Sequence, residues 1–143
     1  MSEPPIFYAL LKTAYRRMER WIEAEAGRVE GLSAAQAGLV LFLGRQDGAA
    51  IGDAAEALDV APSAMTGLVD RMTRAGFVER RPDPRDGRGQ RLHLTERGRA
   101  ARGEVVGMLA DLNDRMGEGL GEAEARIVAG WLESVAAKFT RED

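Results

Sequence analysis

The chain lacks cysteine altogether and contains a single histidine, His93, among its 143 residues. Without cysteine, disulfides, thiolate metal sites and thiol-based redox sensing are excluded. The H-E-x-x-H, G-x-S-x-G and phosphate-binding glycine-loop motifs are also missing, and the carboxylates are scattered along the chain. We therefore expect a protein that is not an enzyme and binds no metal or cofactor, in which His93 is a packing or hairpin residue.

Long apolar runs are missing as well. The longest, AGLVLFLG at residues 37–44, is far too short to span a bilayer. The N-terminal stretch MSEPPIFYAL has neither the basic start nor the apolar run of a signal peptide. We therefore expect a cytoplasmic protein, with enough apolar residues in 143 positions for one compact domain.

Cationic side chains are unevenly distributed along the chain, whose formal net charge is -3. Residues 71–102 contain ten arginines and four carboxylates, a net charge of +6, whereas the other residues, with ten basic and nineteen acidic side chains, carry −9. A polyanion responds to local potential more than to total charge. This segment therefore favours a polyanionic partner such as nucleic acid.

Two helices are predicted before the cationic segment. Apolar residues spaced by three and four predict an amphipathic first helix over residues 6–27. Ser33 precedes a strongly apolar stretch and is followed by Gln36, a spacing that predicts a capped second helix. We expect Gly44 and Gly48 to end that helix.

A third and a fourth helix come next, joined by a tight turn. The third begins near Asp53, and Asp59 lies where a residue of left-handed conformation would end it. In the fourth helix, the apolar spacing predicts four inward residues: Met65, Leu68, Val69 and Met72. The predicted outward residues are mostly small and polar: Ser63, Thr66, Gly67, Asp70, Arg71 and Arg74.

An outward face of this kind allows close approach to base edges and to phosphates. For an isolated helix, a solvated face with Ser63 as the N-cap would explain the same residues equally well. The strands and the cationic turn predicted after this helix favour the first interpretation.

Two short strands are predicted after the fourth helix, at Phe77–Arg81 and Gln90–Leu94. The residues between them include the turn formers Asp86-Gly87 and Gly89, which predict a β-hairpin with a cationic tip. Arginines on a protruding hairpin suit a narrow minor groove, where negative potential is concentrated.

The alternative for the hairpin tip is a set of weak surface ion pairs that only rigidify the loop. Both interpretations can hold, because an aspartate such as Asp83 that holds one arginine also aims it. The arginines of the tip, Arg85 and Arg88 among them, argue against a cation site at Asp83 and Asp86.

Four pieces of the central segment occur in one unbroken order: LDVAPSAMT at 58–66, LVDRM at 68–72 continuing to GFV at 76–78, D-x-R-x-x-R at 83–88, and LHLTERG at 92–98. In these motifs the chain resembles the MarR family of bacterial winged-helix transcriptional regulators, and the flanking helices extend the resemblance more loosely. The resemblance implies a mainly α fold with a small β-hairpin wing, in which a winged helix-turn-helix DNA-binding lobe is flanked by N- and C-terminal dimerisation helices.

The resemblance also implies a homodimer that binds double-stranded DNA at a pseudo-palindromic operator, usually as a repressor. The fourth helix would be the recognition helix, carrying Ser63, Thr66, Gly67, Asp70, Arg71 and Arg74. The hairpin would be the wing, carrying Asp83, Arg85, Arg88 and Arg91. The chain departs from the family at Gly67, where relatives carry longer polar or basic side chains, and at Asp59, where glycine is usual.

The remaining residues are predicted to form the dimer scaffold. Thr95 is placed to cap a long fifth helix, and residues 127–139 carry a wide apolar stripe on a sixth. We expect one domain over residues 1–143, with the lobe at about 33–98 and dimerisation helices at about 5–28 and 99–140. An intramolecular helical bundle would also bury the stripe, but the resemblance favours a second subunit.

Many members of the family bind small aromatic compounds near the dimer helices. By resemblance, the candidate lining here is Tyr15, Met18, Trp21 and Ile22, with Arg16 or Arg17 available for an anionic group. Core or interface packing explains the same spacing. The competing function is a winged-helix module for protein interaction without specific DNA binding, which would predict an uncharged or acidic wing rather than a cationic one.

Overall fold

The computed structural model of the chain describes residues 3–87 and 89–140. Within these residues the chain forms helices α1 to α6 and strands β1 to β3. Their bounds, in chain order, are α1 Phe7–Ala26, α2 Ala34–Arg45, β1 Ala49–Ala50, α3 Ile51–Ala57, α4 Pro62–Arg74, β2 Val78–Pro82, β3 Gln90–Leu94, α5 Glu96–Gly117 and α6 Glu122–Lys138. The fold class predicted from the sequence is confirmed.

The chain divides into two compact units, the first ending at Met108 and the second beginning at Leu109. Helix α5 starts in the first unit and ends in the second. The single domain and the internal boundaries expected from the sequence remain predictions.

The start of α2 is capped as predicted. The Ser33 hydroxyl accepts the Gln36 backbone N–H at 3.1 Å, and the Gln36 side chain accepts the Ser33 backbone N–H at 3.0 Å. The next free N–H, that of Ala34, is donated to the Glu23 carboxylate of α1 at 3.0 Å. Helix α2 thus begins with its first donors satisfied, which fixes its start against α1.

The end of α2 differs from the prediction. Gly44 does not stop the helix but lies inside it, since α2 continues to Arg45. A Cβ at Gly44 would overlap the Arg102 side chain of α5, which lies across this turn of α2. Gly44 therefore serves close packing of a side chain rather than helix termination.

The turn between α3 and α4 has the expected left-handed residue. Asp59 has φ of 51°, and the backbone N–H groups of Asp59 and Val60 are donated to the carbonyls of Glu56 and Ala55 at 3.2 and 2.9 Å. This pair of bonds is the Schellman arrangement. It ends α3 and directs the chain into α4.

The sheet has three strands in the order β1-β3-β2, all antiparallel. The hairpin of β2 and β3 was predicted from the sequence. In the structure Val78 lies opposite Leu94 and Pro82 lies opposite Gln90. Strand β1 was missed because its two residues, Ala49 and Ala50, carry no strand signal of their own. They pair with β3 at Leu92 and Arg91 and attach the hairpin to the segment between α2 and α3.

All buried hydrophobic side chains among the described residues lie between Ala26 and Met108. The four inward residues predicted for α4 are among them: Met65, Leu68, Val69 and Met72. They are joined by Leu39 and Leu43 from α2 and by Leu92 from β3. The core of the first unit is thus built by the helix-turn-helix and the inner face of the sheet.

Helix α5 begins at the predicted cap, where the Thr95 hydroxyl accepts the Gly98 backbone N–H at 3.1 Å. Helix α6 has no buried side chain within the described residues. No helix in the described part of the chain is long and apolar enough to cross a membrane.

Candidate nucleic-acid interface

Helix α4 presents a polar face to solvent. The helix starts with Ala61 as N-cap and Pro62 in its first turn, so Ser63 lies inside the helix and is not the N-cap. The Thr66 hydroxyl donates to the Pro62 carbonyl at 3.0 Å, which leaves its oxygen available as an acceptor. Ser63, Thr66, Arg71 and Arg74 are exposed, whereas Gly67 and Asp70 are half-buried.

Gly67 makes room for an arginine one turn further along α4. A Cβ at Gly67 would lie 3.4 Å from Nη1 of Arg71, so the Arg71 side chain runs back along the helix over the glycine. The arginine thereby occupies the space that a longer side chain at position 67 would need. The position at which relatives carry longer side chains is therefore covered here by the Arg71 guanidinium group.

Asp70 has a structural role that the sequence did not predict. Its carboxylate forms an ion pair with the Arg80 guanidinium on β2. The two side chains are 42% and 28% exposed, and the Nε atom of Arg80 is buried with no hydrogen-bond partner in the described residues. Asp70 therefore joins α4 to the wing, rather than offering a free carboxylate to a ligand.

The wing is braced by Asp83, but the bracing differs from the expected one. One oxygen of Asp83 accepts the backbone N–H of Arg85 at 2.9 Å, and the other accepts Nε of Arg91 at 3.0 Å. These two donors lower the pKa of the Asp83 carboxyl below its usual value. Asp83 thus fixes the turn at the Arg85 backbone and holds the Arg91 side chain, while the Arg85 guanidinium is exposed at the wing.

Arg88, predicted as a second wing arginine, lies outside the described residues. Around it, the backbone N–H of Asp83 donates to the Gly89 carbonyl at 2.9 Å, and that of Gly89 donates to the Asp86 carbonyl at 3.0 Å. These bonds close the hairpin turn, in agreement with the predicted turn formers.

The outer face of the β2–β3 ladder carries alternating charges. Glu79 lies opposite His93 and Arg81 lies opposite Arg91. Arg81 is paired with Glu79 on its own strand, and His93 Nδ1 lies 3.3 Å from the Asp47 carboxylate. His93 is therefore a packing residue of the sheet, as the sequence led us to expect.

Arginines at the start of α5 are used inside the lobe. The Arg97 guanidinium lies 4.3 Å from the centre of the Phe77 ring, and its Nε lies 3.3 Å from both oxygens of Glu30. Arg99 donates to the Leu94 carbonyl at 3.0 Å. The cationic segment is thus only partly available to a ligand. Within the described residues, Arg71 and Arg85 are exposed, and so is Arg74, whose Nε donates to the Asp70 carbonyl in a long bond of 3.4 Å.

The candidate ligand residues lie on α1. Tyr15 is 56% exposed, and Met18, Trp21 and Ile22 are half-buried. A hydrogen bond to the Glu19 side chain raises the pKa of Tyr15, with smaller effects from burial and from the negative charge of Glu19. A separate open groove of about 440 Å³ is lined by charged residues and one alanine: Arg16, Glu19, Arg20, Glu23 and Ala34.

Within the described residues, no group of three or more histidine, aspartate or glutamate side chains is arranged to hold a metal ion. The residues predicted to bind DNA lie on α4 and on the hairpin. The ion pair between Asp70 and Arg80 links these two elements. The residues that sequence reasoning missed, Asp47, Gly48 and Arg80, all act through contacts with residues distant in the chain. Of these residues, only the Asp47-Gly48 pair carried a signal in the local sequence, because an Asp-Gly dipeptide marks a turn.

The helix-turn-helix followed by an antiparallel hairpin defines a winged-helix protein. Residues 30–89 match the model of the MarR family. This match, together with the fold shared with solved structures of MarR regulators, confirms the resemblance to the MarR family noted in the sequence. No curated protein sequence matches it.

Several solved structures share the fold over nearly the whole chain. The transcriptional regulator SlyA is 19% identical, with a TM-score of 0.86 and coverage of 94% of each chain. A mutant MarR from E. coli complexed with operator DNA is 23% identical, with a TM-score of 0.80 and coverage of 89% of this chain and 91% of that one. BpsR of Bordetella bronchiseptica, whose DNA binding is regulated by 6-hydroxynicotinic acid, is 24% identical, with a TM-score of 0.76 and coverage of 92% and 99%.

Proposed function

We propose that the protein is a sequence-specific DNA-binding transcriptional regulator that binds a pseudo-palindromic operator as a homodimer and acts as a repressor. The observation that carries the proposal is the placement of exposed guanidinium groups on the two elements suited to the grooves: Arg71 and Arg74 on α4, and Arg85 on the wing. The structural relative from E. coli was solved on operator DNA, which supports the same use of this fold.

The two proposed DNA-contacting elements are held to one another. The ion pair of Asp70 and Arg80 connects the middle of α4 to β2. The Arg80 guanidinium reaches Asp70 from the inner side of the wing. A recognition helix and a wing that are fixed in this way do not need to be ordered when DNA binds. Less conformational entropy is then lost on binding.

The proposal of a homodimer rests on apolar side chains that stay exposed on the terminal helices. At α1 and its N-cap these include Ile6, Phe7, Tyr8 and Leu10 at 58 to 73% exposure, and at α6 and its C-cap Ile127, Val128, Trp131, Leu132 and Phe139 at 36 to 81%. Exposed apolar surface on this scale marks an interface. A two-fold dimer would present two copies of α4 and of the wing to a pseudo-palindromic site.

A titration of duplex DNA at several salt concentrations tests the proposal. We expect the affinity of random duplex and of DNA from upstream of the gene to fall linearly on a log–log plot against salt. Arg85→Ala should weaken binding to both, and should flatten the slope by about 2, since each subunit of the dimer loses about one phosphate contact. Arg28→Ala is the matched control, because Arg28 is highly exposed and lies far along the chain from α4 and the wing.

Base readout is tested separately with Thr66→Ala, once an operator has been selected from random duplexes. We expect the variant to lose about 1 to 3 kcal/mol of discrimination between operator and random DNA while keeping the salt slope of the wild type. The proposal is wrong if no duplex binds or if affinity is independent of salt. The assignment of the wing alone is wrong if Arg85→Ala and Arg28→Ala bind equally well.

We also propose that an aromatic effector binds the α1 residues Tyr15, Met18, Trp21 and Ile22. Their mixture of apolar surface and one hydroxyl supports this assignment, as does the regulation of BpsR by 6-hydroxynicotinic acid. The test is a titration of the Trp131→Phe variant with that compound. Saturable quenching of Trp21 fluorescence and weaker operator binding are expected, and a flat titration across aromatic carboxylates would contradict the assignment.

A further inference from the structure

Two Asp-Gly pairs occur in the chain, Asp47-Gly48 just before β1 and Asp86-Gly87 in the turn of the wing. In such a pair the glycine nitrogen can attack the Cγ atom of the aspartate, because glycine has no Cβ to hinder the approach. Every other aspartate inside the chain is followed by a residue that carries a Cβ, and the residue after Asp83 is a proline, which has no N–H to react. The two Asp-Gly pairs are therefore the positions at which the sequence most readily allows this reaction.

The reaction forms a bond between the glycine nitrogen and Cγ and expels one water molecule. The nitrogen gives up its hydrogen, and the carboxyl group gives up its OH. Solvent water then opens the resulting succinimide ring by breaking the bond between the nitrogen and the original backbone carbonyl carbon. The product is isoaspartate, in which the main chain runs through Cβ and is longer by one carbon atom. No electron is transferred, and the mass of the protein is unchanged.

The first pair is held closed to this reaction by the sheet. The Gly48 N–H donates to the Leu92 carbonyl of β3 at 2.8 Å. One oxygen of Asp47 accepts the Leu94 backbone N–H at 3.3 Å, and the other lies 3.3 Å from Nδ1 of His93. Ring closure at this pair requires these contacts to open first, because both the nitrogen and the carboxylate that must meet are bonded elsewhere.

The second pair is not held in this way. Asp86 and Gly87 are exposed, and a Cβ at Gly87 would meet no described atom within 4 Å. In the part of the chain that the structure describes, the Gly87 N–H donates to no backbone carbonyl. Asp47 is exposed as well, so access to solvent does not distinguish the two pairs. They differ in the hydrogen bond made by the glycine nitrogen.

We propose that Asp86-Gly87 is a modification site at which the folded protein forms isoaspartate, whereas the fold protects Asp47-Gly48. The reaction needs only solvent water and the exposed turn, so it does not rest on the proposed function. Isoaspartate in such a turn is a substrate for one class of enzyme, the methyltransferases that transfer a methyl group from S-adenosylmethionine to its carboxylate.

The modification changes the wing because the added main-chain carbon lies inside its turn. Two backbone bonds span the pair: the Asp83 N–H donates to the Gly89 carbonyl at 2.9 Å, and the Gly89 N–H donates to the Asp86 carbonyl at 3.0 Å. In isoaspartate the Asp86 carbonyl carbon becomes a carboxylate beside the main chain, so the second bond loses its backbone acceptor. Arg85 lies in the same turn, and we expect duplex binding to weaken. This consequence rests on the proposed function.

The first arm of the test follows the chemistry in the full chain without DNA. The protein is aged in neutral buffer, then denatured and digested with an endoprotease that cuts before aspartate but not before isoaspartate. In the folded protein, we expect the cut before Asp86 to be lost at least about tenfold faster than the cut before Asp47, which reacts only after local opening. In protein aged in urea, the two cuts should be lost at similar rates.

Equal rates in the folded protein, or a faster loss at Asp47, would overturn the proposal. So would a difference between the two pairs that persists in urea, because it would arise from the local sequence and not from the fold. Transfer of methyl groups from S-adenosylmethionine by an isoaspartate methyltransferase measures the total product independently. It should rise in step with loss of the cut before Asp86, and its absence would also contradict the proposal.

Gly87→Ala is the matched variant. Gly87 has open space for a Cβ and does not have a positive φ, so the substitution is expected to leave the fold intact. The added Cβ should slow loss of the cut before Asp86 by about tenfold, because it hinders the approach of the nitrogen. Loss at the wild-type rate would show that the uncut bond does not report ring closure, and the proposal would fail.

The second arm compares duplex binding by fresh and aged protein. The fraction of wild type that binds should fall in step with isoaspartate at residue 86, and Gly87→Ala aged in parallel should keep its binding. Equal losses in the two proteins would overturn the link between the modification and DNA binding. A protein that forms isoaspartate at residue 86 but binds no duplex when fresh would overturn the proposed function and leave this site standing.

Discussion

Leu92 and Leu132 are the same residue type in two different settings. Leu92 on β3 is fully buried in the helix-turn-helix lobe, whereas Leu132 on α6 leaves 36% of its surface exposed. The two regions differ in burial in the same way as the two leucines, because the last buried hydrophobic residue of the described chain is Met108. The lobe buries its own apolar surface, while the terminal helices present theirs. The lobe therefore closes a core of its own, whereas the stripe on α6 would be covered by the proposed dimer.

The largest expected effect comes from truncating each leucine. Leu92→Ala should lower the free energy of unfolding by about 2 to 5 kcal/mol, because it opens a cavity in a closed core. Leu132→Ala should lower it by about 1 kcal/mol or less when measured by urea denaturation at low protein concentration. Equal losses of unfolding free energy for the two variants would show that α6 is as well packed as the lobe, which would contradict the difference in burial between them.

Two glycines on α5 sharpen the same comparison within one helix. A Cβ at Gly98 would overlap the Phe77 carbonyl oxygen, whereas a Cβ at Gly103 would meet no atom within 4 Å. Gly98→Ala should therefore destabilise the protein by about 1 to 3 kcal/mol, since backbone must move. Gly103→Ala should stabilise it by about 0.5 to 1 kcal/mol through higher helix propensity.

The measurement for this pair is the melting temperature of each variant. The two shifts should have opposite signs. A melting temperature for Gly98→Ala at or above that of the wild type would mean that α5 does not rest on the β2 end of the sheet as the structure has it.

A third test addresses the exposed stripe of α6. Val128 lies in the stripe, and Ala137, nine residues further on, lies on the opposite side of the helix. Val128→Asp should weaken the proposed dimer by about tenfold or more, because the carboxylate would lose its water in an apolar interface. Ala137→Asp carries the same charge and should leave association unchanged.

Sedimentation equilibrium measures both α6 variants against the wild type. Loss of association in both would point to a general charge effect. A wild-type mass near 15.5 kDa at micromolar concentration would show a monomer and contradict the proposed dimer.

The features predicted from the sequence are those that local chemistry decides. The spacing of Met65, Leu68 and Met72 shows which face of α4 is buried, and Ser33 with Gln36 shows where α2 starts. These patterns depend on helix geometry alone. The family resemblance then supplied the expected roles of these elements, with α4 as the recognition helix and the hairpin as the wing.

The features that sequence reasoning missed depend on partners far away in the chain. Gly44 resembles a helix stop until the Arg102 side chain is seen across it, and Asp70 resembles a surface residue until Arg80 is placed beside it. Arginine counts were also misleading, since Arg97 and Arg99 bond to the lobe instead of facing a ligand. A charge in the sequence gives no information about which neighbour the fold will bring to it.

The smallest expected effect concerns two residues with the same backbone strain in different regions. Glu30, in the turn between α1 and α2, and Asp59, in the turn before α4, both have φ of 51°. Glycine adopts this conformation without the steric cost of a Cβ, but it loses more entropy on folding. Asp59→Gly should therefore stabilise the protein by about 0.5 kcal/mol.

Glu30→Gly removes the same strain but also the ion pair between Glu30 and Arg97. Both side chains of this pair are exposed, so the pair stabilises the protein by about 0 to 1 kcal/mol. The expected order of unfolding midpoints in urea is Asp59→Gly above both the wild type and Glu30→Gly. A higher midpoint for Glu30→Gly than for Asp59→Gly would mean that Arg97 does not depend on Glu30 to connect α5 to the turn after α1.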